Sequence, residues 1–227
     1  CSIVIPAYNE ENRIRQLFGT IGRFDGELIV VCDGTDGTAG VVEEIARIRT
    51  DLNIRCLTFD HRLGKGGGVI AGLSAAHAPL VGFCDADGST TMSEMMRLFS
   101  CLGTNDGAIG SRWVDGSTLK VRQGILRRLE SRSFNFLIRC LFGLSFHDTQ
   151  CGAKVFKKTA IDTILASMVS RGFEFDVELL WRLRRAGCRV IEVPIEWQNK
   201  GDSRVRKRDM MRMVAGLFRV RLGLSRK

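Results

Sequence analysis

Two carboxylates stand two residues apart in Asp85-Ala86-Asp87-Gly88, directly after a short apolar run, Leu80–Cys84. Alternate side chains of an extended segment project to the same side, so this pair can close on one hard cation. Mg²⁺ or Mn²⁺ is held in this way, by a few carboxylates together with substrate phosphate oxygens. It would neutralise charge gathering on a departing diphosphate. A solvated acidic turn has the same composition, so the motif alone leaves both readings open. Pro6-Ala7-Tyr8-Asn9-Glu10 and Asp33-Gly34-Thr35-Asp36-Gly37-Thr38 also follow apolar runs, and each by itself reads equally as a turn. Gly64-Lys65-Gly66-Gly67-Gly68 has the makings of a phosphate cradle. It is not a P-loop, which needs Ser or Thr after the Lys where this chain has Gly66. Gly66-x-Gly68-x-x-Ala71 has the dinucleotide spacing but begins seven or more residues past its strand, not immediately after it.

The elements that must position these residues follow from hydrophobic pattern. Ser2–Ile5, Leu28–Val31, Ile54–Leu57 and Leu80–Cys84 are short and rich in Val, Ile and Leu, as buried parallel strands are. Asn12–Ile21, Thr38–Ile48 and Gly68–Ala76 lie between them as helices, the first two with i, i+3, i+4 apolar spacing. This alternation predicts an α/β fold with a parallel sheet and helices on both faces. Ligands of such sheets bind at the carboxyl ends of the strands, which is where the unusual residues fall. The second half reads as a long helix over Leu119–Phe142, a turn-like cluster over His147–Gly152, a helix over Phe175–Ala186 and a strand over Arg189–Pro194. No linker-like boundary separates the halves, and 227 residues suit one domain.

Composition narrows the class. With 44% hydrophobic and 26% charged residues and 3 Pro, the chain is neither disordered nor collagen-like. No apolar run reaches the roughly 18–20 residues that cross a bilayer, and nothing resembles a secretory signal. The 8 Cys form no C-x-x-C pair and His61, His77 and His147 are not spaced beside them as zinc ligands, so reduced core thiols of a cytoplasmic protein are expected. The net charge of +9 is local: Arg204 to Lys227 holds nine basic residues and one acid, Asp209. Met210, Met213, Val214, Leu217, Phe218 and Leu224 recur there at helical spacing. Such a helix reads as a membrane-surface segment, as a helix packed on its own domain with a basic rim, or as a nucleic-acid arm. For the last there is no aromatic platform.

In their order along the chain, the motifs resemble the nucleotide-diphospho-sugar (GT-A) glycosyltransferases of family 2. The matching pieces are Asp85-Ala86-Asp87-Gly88, Ser111-Arg112-Trp113, Ser131-Arg132-Ser133-Phe134-Asn135, Asp148-Thr149-Gln150-Cys151-Gly152 with Lys154, Phe175-Asp176-Val177-Glu178-Leu179-Leu180, and Glu192-Val193-Pro194. Within that family the second half is most similar to the dolichyl-phosphate glucosyltransferases, then to the dolichyl-phosphate mannose synthases. The resemblance implies a doubly wound, mainly parallel GT-A sheet as a catalytic domain over residues 1–203. Its nucleotide part covers about 1–111 and its acceptor part about 112–203, followed by the basic segment 204–227.

It also implies roles. Pro6, Tyr8, Glu10, Asp33 and Lys65 would line the nucleotide pocket, Asp85 would face the ribose, metal or sugar, and Asp87 would ligate Mg²⁺ or Mn²⁺ most directly. The mannose synthases carry a metal-holding Gln where this chain has Ser89, which argues against that branch. The acceptor would be dolichyl or polyprenyl phosphate. A phosphate monoester is largely dianionic near neutral pH and is already a nucleophile, so its site needs cations more than a general base. Arg112, Arg132, Lys154 and Arg204 are the candidates, with Arg127 and Arg128 less securely placed. Glu178 sits in a family motif, yet an ion pair with Arg182 at i+4 accounts for it equally well. The expected reaction is inverting transfer of one hexose, first from UDP-glucose and second from GDP-mannose, by a peripheral protein on the cytoplasmic face of a membrane. A family 2 enzyme with a soluble acceptor and a basic nucleic-acid-binding protein are the other readings.

Overall fold

The computed structural model describes residues 1–119, 137–198 and 207–223. Strands β1 (Ser2–Ala7), β2 (Glu27–Cys32), β3 (Asn53–Thr58) and β4 (Leu80–Phe83) alternate with helices α1 (Glu11–Thr20), α2 (Thr38–Ile48) and α3 (Gly64–Ala75). Helix α4 (Met92–Cys101) leads to β5 (Gly107–Ser111) and the short β6 (Thr118–Leu119). Then come β7 (Lys154–Lys157), α5 (Lys158–Leu165), α6 (Phe175–Arg185), β8 (Val190–Pro194), β9 (Glu196–Trp197) and α7 (Lys207–Arg221). Seven strands make one sheet in the order β3-β2-β1-β4-β7-β5-β8. Neighbours are parallel except β7, which runs antiparallel between β4 and β5. The mainly parallel, doubly wound sheet expected from the sequence is present.

Both faces of the sheet are buried, which is why its first strands read as unbroken apolar runs. Ile3, Ile5, Leu28 and Val30 pack with Ile14 and Leu17 of α1, Val41 and Val42 of α2, and Met95 and Leu98 of α4. Val4, Ile29, Val31 and Phe83 face the other way, onto Val69 and Leu73 of α3, Ile161 of α5, Leu180 and Leu183 of α6, and Leu217 of α7. Each fully buried side chain of this kind contributes about 1.5–3 kcal/mol. Helix α4 is fixed at its start by Thr91, whose hydroxyl accepts from the Glu94 amide. Glu94 in turn accepts from Arg97 and from the Glu196 amide at 2.9 Å, tying α4 to β9.

Three elements differ from the sequence reading. Helix α3 begins at Gly64, not Gly68, which puts Lys65 in its first turn. Glycine normally disfavours a helix by about 1 kcal/mol. Here it is demanded by contact: a Cβ on Gly66 would lie 2.5 Å from the Phe175 Cβ, and one on Gly72 2.3 Å from Val4 Cγ1. The expected helix over Leu119–Phe142 is helical at 137–142, while Thr118–Leu119 is a strand drawn into register with Glu196–Trp197; residues 120–136 lie outside the described ones. The basic C-terminal helix packs on the domain through Met213, Leu217 and Val220, all buried, and also exposes Met211, Phe218 and Leu222. Among the described residues no helix is long and apolar enough to cross a membrane.

Candidate active site

The loops after β1 and β2 are knitted together by backbone bonds. Asn9 adopts a left-handed conformation (φ 54°), and its Oδ1 accepts from the Thr35 and Asp36 amides at 2.8 and 3.3 Å. Gly34 leaves room for it, since a Cβ there would lie 2.3 Å from Asn9 Oδ1. The Glu10 amide donates to Thr38 Oγ1 at 2.9 Å, and Glu10 reaches Arg13 at 3.4 Å. Pro6, the last residue but one of β1, lies against Gly68, and Tyr8 carries the Arg62 guanidinium 4.1 Å from its ring centre. The buried Asp33 accepts through one oxygen from the Leu63 and Gly64 amides, at 2.8 and 3.1 Å. A carboxylate at a helix start is favoured by the orphan amides and the helix dipole. Asp33 thereby fixes the backbone from which Lys65 projects.

Lys65 crosses to the end of β4, where its Nζ lies 2.8 Å from Asp85 Oδ1 and 4.0 Å from Asp176 Oδ2. Burial works against its charge, but Asp85, Asp176 and Asp87 outweigh that and hold its pKa above the ordinary lysine value. Burial likewise pushes the Asp85 carboxyl up, and the pull of Lys65, Lys154 and Arg112 more than reverses it, leaving Asp85 below the usual carboxylate range. Asp87 Oδ1 accepts from the Ser89 amide at 2.8 Å, a bond made by the turn at Gly88 (φ 66°). Gly152 of the Asp-Thr-Gln-Cys-Gly run backs onto this centre, since a Cβ there would lie 2.0 Å from Asp85 Oδ2.

The cations expected on the acceptor side are already paired. Arg112 forks onto Asp148 through Nε and Nη2 at 2.7 and 2.9 Å, and its guanidinium lies 5.4 Å from the Trp197 ring centre. Asp148 sits in a turn held by Glu192, which accepts from the His147 and Asp148 amides. Asp148 outweighs the burial of Arg112 and keeps its pKa above the ordinary arginine value. Lys154 is wholly buried, 2.5 Å from Asp176 Oδ1, and also donates to the Cys151 carbonyl. Here the structure corrects the sequence reading: with no solvent-facing surface, Lys154 anchors the site from behind and does not meet an acceptor. Glu178 follows the plainer of its two readings, since it pairs with Arg182 at 2.6 Å and accepts from the Ser170 amide. Cys151 is buried and its thiol is pushed up to about 11, mainly by burial, which leaves it no nucleophile near neutral pH. Arg127, Arg128, Arg132 and Arg204 lie outside the described residues.

Asp85, Asp87, Asp176, Lys65 and Lys154 therefore meet at one end of the sheet, three carboxylates against two ammonium groups. Among the described residues no three His, Cys, Asp or Glu side chains form a complete metal cage. Two hard carboxylates beside an open face nevertheless suit Mg²⁺ or Mn²⁺, which take the rest of their octahedron from phosphate and water. Asp176, Asp148, Glu192 and Asn9 were not given roles by the sequence reading. All four sit inside its motifs, and their partners, 22 to 44 residues distant, supply the meaning. A separate hollow lined by Cys1, Glu27, Asn53 and His77 lies at the opposite ends of the strands, away from these carboxylates.

The model of the glycosyl transferase family 2 matches residues 2–165. Glycosyltransferase AglD of Haloferax volcanii is 34% identical over 95% of this chain, which spans 35% of that protein. Dolichyl-phosphate beta-glucosyltransferase ALG5D of Trichomonas vaginalis is 33% identical over 96% of the chain and 72% of its own length. Polyprenol monophosphomannose synthase of Mycolicibacterium smegmatis is 32% identical over 87% and 77%. In fold, the chain is similar to the mannosyltransferase PcManGT from Pyrobaculum calidifontis, solved with GDP-Man and Mn²⁺. The TM-score is 0.65 at 19% identity, covering 96% of this chain and 64% of that one. The carboxylate pair at the end of β4, on a sheet of this topology, thus belongs to a member of glycosyl transferase family 2.

Proposed function

We propose that the protein transfers one hexose, with inversion, from a nucleotide diphosphate sugar to a polyprenyl or dolichyl phosphate. The observation that carries this reading is the unbalanced acidic centre at the end of β4, beside a lysine in the first turn of α3. Asp87, with Asp85, would hold Mg²⁺ or Mn²⁺, which when bound supplies charge neutralisation for the departing nucleoside diphosphate. Lys65 would lie along the same diphosphate, and Pro6, Tyr8, Glu10 and the Asp33-fixed loop would form the nucleoside end. The acceptor phosphate needs no base, so the remaining task is to hold it in line with the anomeric carbon. Arg132 and Arg204 are proposed for that contact, with Arg112 and its Asp148 brace beside it.

UDP-glucose is the first choice of donor, supported by the similarity to proteins named dolichyl-phosphate beta-glucosyltransferase. GDP-mannose is second, on the similarity to a polyprenol monophosphomannose synthase. Peripheral contact with the cytoplasmic face of a membrane is part of the proposal. Met211 and Phe218 on α7, with Leu222 just past its end, form an exposed apolar stripe, and Arg212 and Arg219 are exposed beside it. Apolar side chains flanked by arginines suit an anionic bilayer surface. A panel of nucleotide sugars incubated with polyprenyl phosphate and Mn²⁺, scored for glycolipid by mass, tests the reaction. A hexosyl phospholipid is expected from UDP-glucose; no product from any donor would overturn the reading.

A further inference from the structure

Two lysines share Asp176, and they are held very differently. Lys154 takes Asp176 Oδ1 at 2.5 Å and has no exposed surface. Lys65 lies 4.0 Å from Asp176 Oδ2, and its closer partner, at 2.8 Å, is Asp85 Oδ1. The backbone behind Lys65 is pinned: Asp33 accepts from the Leu63 and Gly64 amides, and the Gly67 amide donates to the Arg171 carbonyl at 3.2 Å. Asp85 is pinned from the other side by Gly152, against which its Oδ2 rests. The Lys65 backbone is held and the Asp85 carboxylate has Gly152 at its back, so the lysine head is the part of this contact with most room to move. An ammonium group and a divalent cation cannot share one carboxylate edge without strong like-charge repulsion.

We propose that Lys65 is an internal counter-ion occupying the Asp85 edge where a divalent ion must bind, and that Asp176 is the positioning residue toward which it withdraws when metal and nucleoside diphosphate bind together. The proposal rests on the metal-binding reading of Asp85 and Asp87 given above. The withdrawal is short, since the lysine head has only to close a 4.0 Å separation to hydrogen-bond distance. Asp176 Oδ2 faces it, while Oδ1 stays with Lys154. The diphosphate offers Lys65 a second anionic partner, so it favours the same displacement. Metal alone then binds weakly because it must evict an ion pair, and metal with nucleotide binds tightly. The donor complex assembles as a unit, and a stray divalent ion does not fill the site ahead of it.

The test is titration of Mn²⁺, followed by the paramagnetic resonance of the free ion, with and without UDP. The proteins are the unaltered chain, Lys65→Met, Lys65→Gln and Asp176→Asn, each checked for its fold by circular dichroism. Without nucleotide, both Lys65 variants should bind Mn²⁺ at least roughly fivefold more tightly than the unaltered protein, the low end of ordinary site–site coupling. The further gain from UDP should shrink in both. Asp176→Asn should bind Mn²⁺ alone more weakly, because Lys65 then has Asp85 as its one remaining anionic partner of the two; if that variant does not fold, the two Lys65 variants decide. Folded Lys65 variants whose Mn²⁺ affinity is unchanged or lower, in a protein that still binds Mn²⁺ with UDP, would overturn this inference and leave the metal reading standing. No Mn²⁺ binding by the unaltered protein even with UDP would remove both.

Discussion

The half of this molecule proposed to bind the donor and the half proposed to bind the acceptor hold their charged groups in different ways. At the ends of β1 to β4, side-chain oxygens are matched to backbone amides: Asn9 to Thr35, Asp33 to Leu63 and Gly64, Asp87 to Ser89. At the ends of β5, β7 and α6, each described cation named above meets a carboxylate at close range: Arg112 with Asp148, Lys154 with Asp176, Arg182 with Glu178. A half whose side-chain oxygens are set by backbone amides is suited to presenting a carboxylate such as Asp87 to an ion, and a half whose cations are paired with carboxylates is suited to holding shape. Lys65 belongs to the first half by sequence and reaches the second through Asp176.

The largest separation between the halves should come from Asp87→Ala. Losing a carboxylate aimed at the developing charge should cost glycolipid formation roughly 10²–10³-fold, with stability lowered by only about 1 kcal/mol for the lost bond to the Ser89 amide. Lys154→Met should act mainly on stability, lowering it by up to about 3–5 kcal/mol because the buried Asp176 is left with only the more distant Lys65. The double variant Lys154→Met/Asp176→Leu should recover most of that stability in a urea melt. If Lys154→Met is as stable as the unaltered chain, the pair is not the anchor described.

Gly152→Ala probes the seam. A Cβ 2.0 Å from Asp85 Oδ2 must displace that carboxylate. The rate of transfer should fall roughly 10²-fold, equivalent to about 2.7 kcal/mol, while the unfolding free energy changes by only about 1 kcal/mol. Equal losses in both would mean that the contact only packs.

The smallest effect concerns Glu94, which joins α4 to β9. Burial raises its pKa, and the bonds from Arg97 and the Glu196 amide more than offset this, so the folded value lies below the ordinary 4.5. A depressed carboxyl contributes stability that is present above pH 4.5 and is lost as pH falls through the folded value. The unaltered chain should therefore exceed Glu94→Gln by about 1 kcal/mol near neutral pH. The gap should close in acid, as read from urea midpoints along a pH series.

The donor half was legible because its strands are buried on both faces and its polar clusters fall directly after them. The acceptor half was less so. Gly107-Ala108-Ile109-Gly110-Ser111 does not read as a strand, since its glycines are imposed by Phe156 and Ile195 pressing on the backbone. β7 is bracketed by Lys154 and Lys157, and a buried lysine makes sense only once Asp176, 22 residues on, is beside it. The sequence therefore marked Lys65 for the nucleotide and Lys154 for the acceptor, where the fold buries Lys154 and sets Lys65 between Asp85 and Asp176. The start of α3 was misjudged for the same reason: glycines that oppose a helix locally are required by neighbours distant in the chain.

The central claim is that the β4 carboxylates hold the metal–diphosphate end of the donor. Crystals soaked with UDP-glucose and Mn²⁺ test it most directly, through the anomalous signal of the metal. The account predicts a manganese peak in contact with Asp87 and beside Asp85, with the diphosphate next to Lys65. A peak and nucleotide bound elsewhere on the molecule would contradict it.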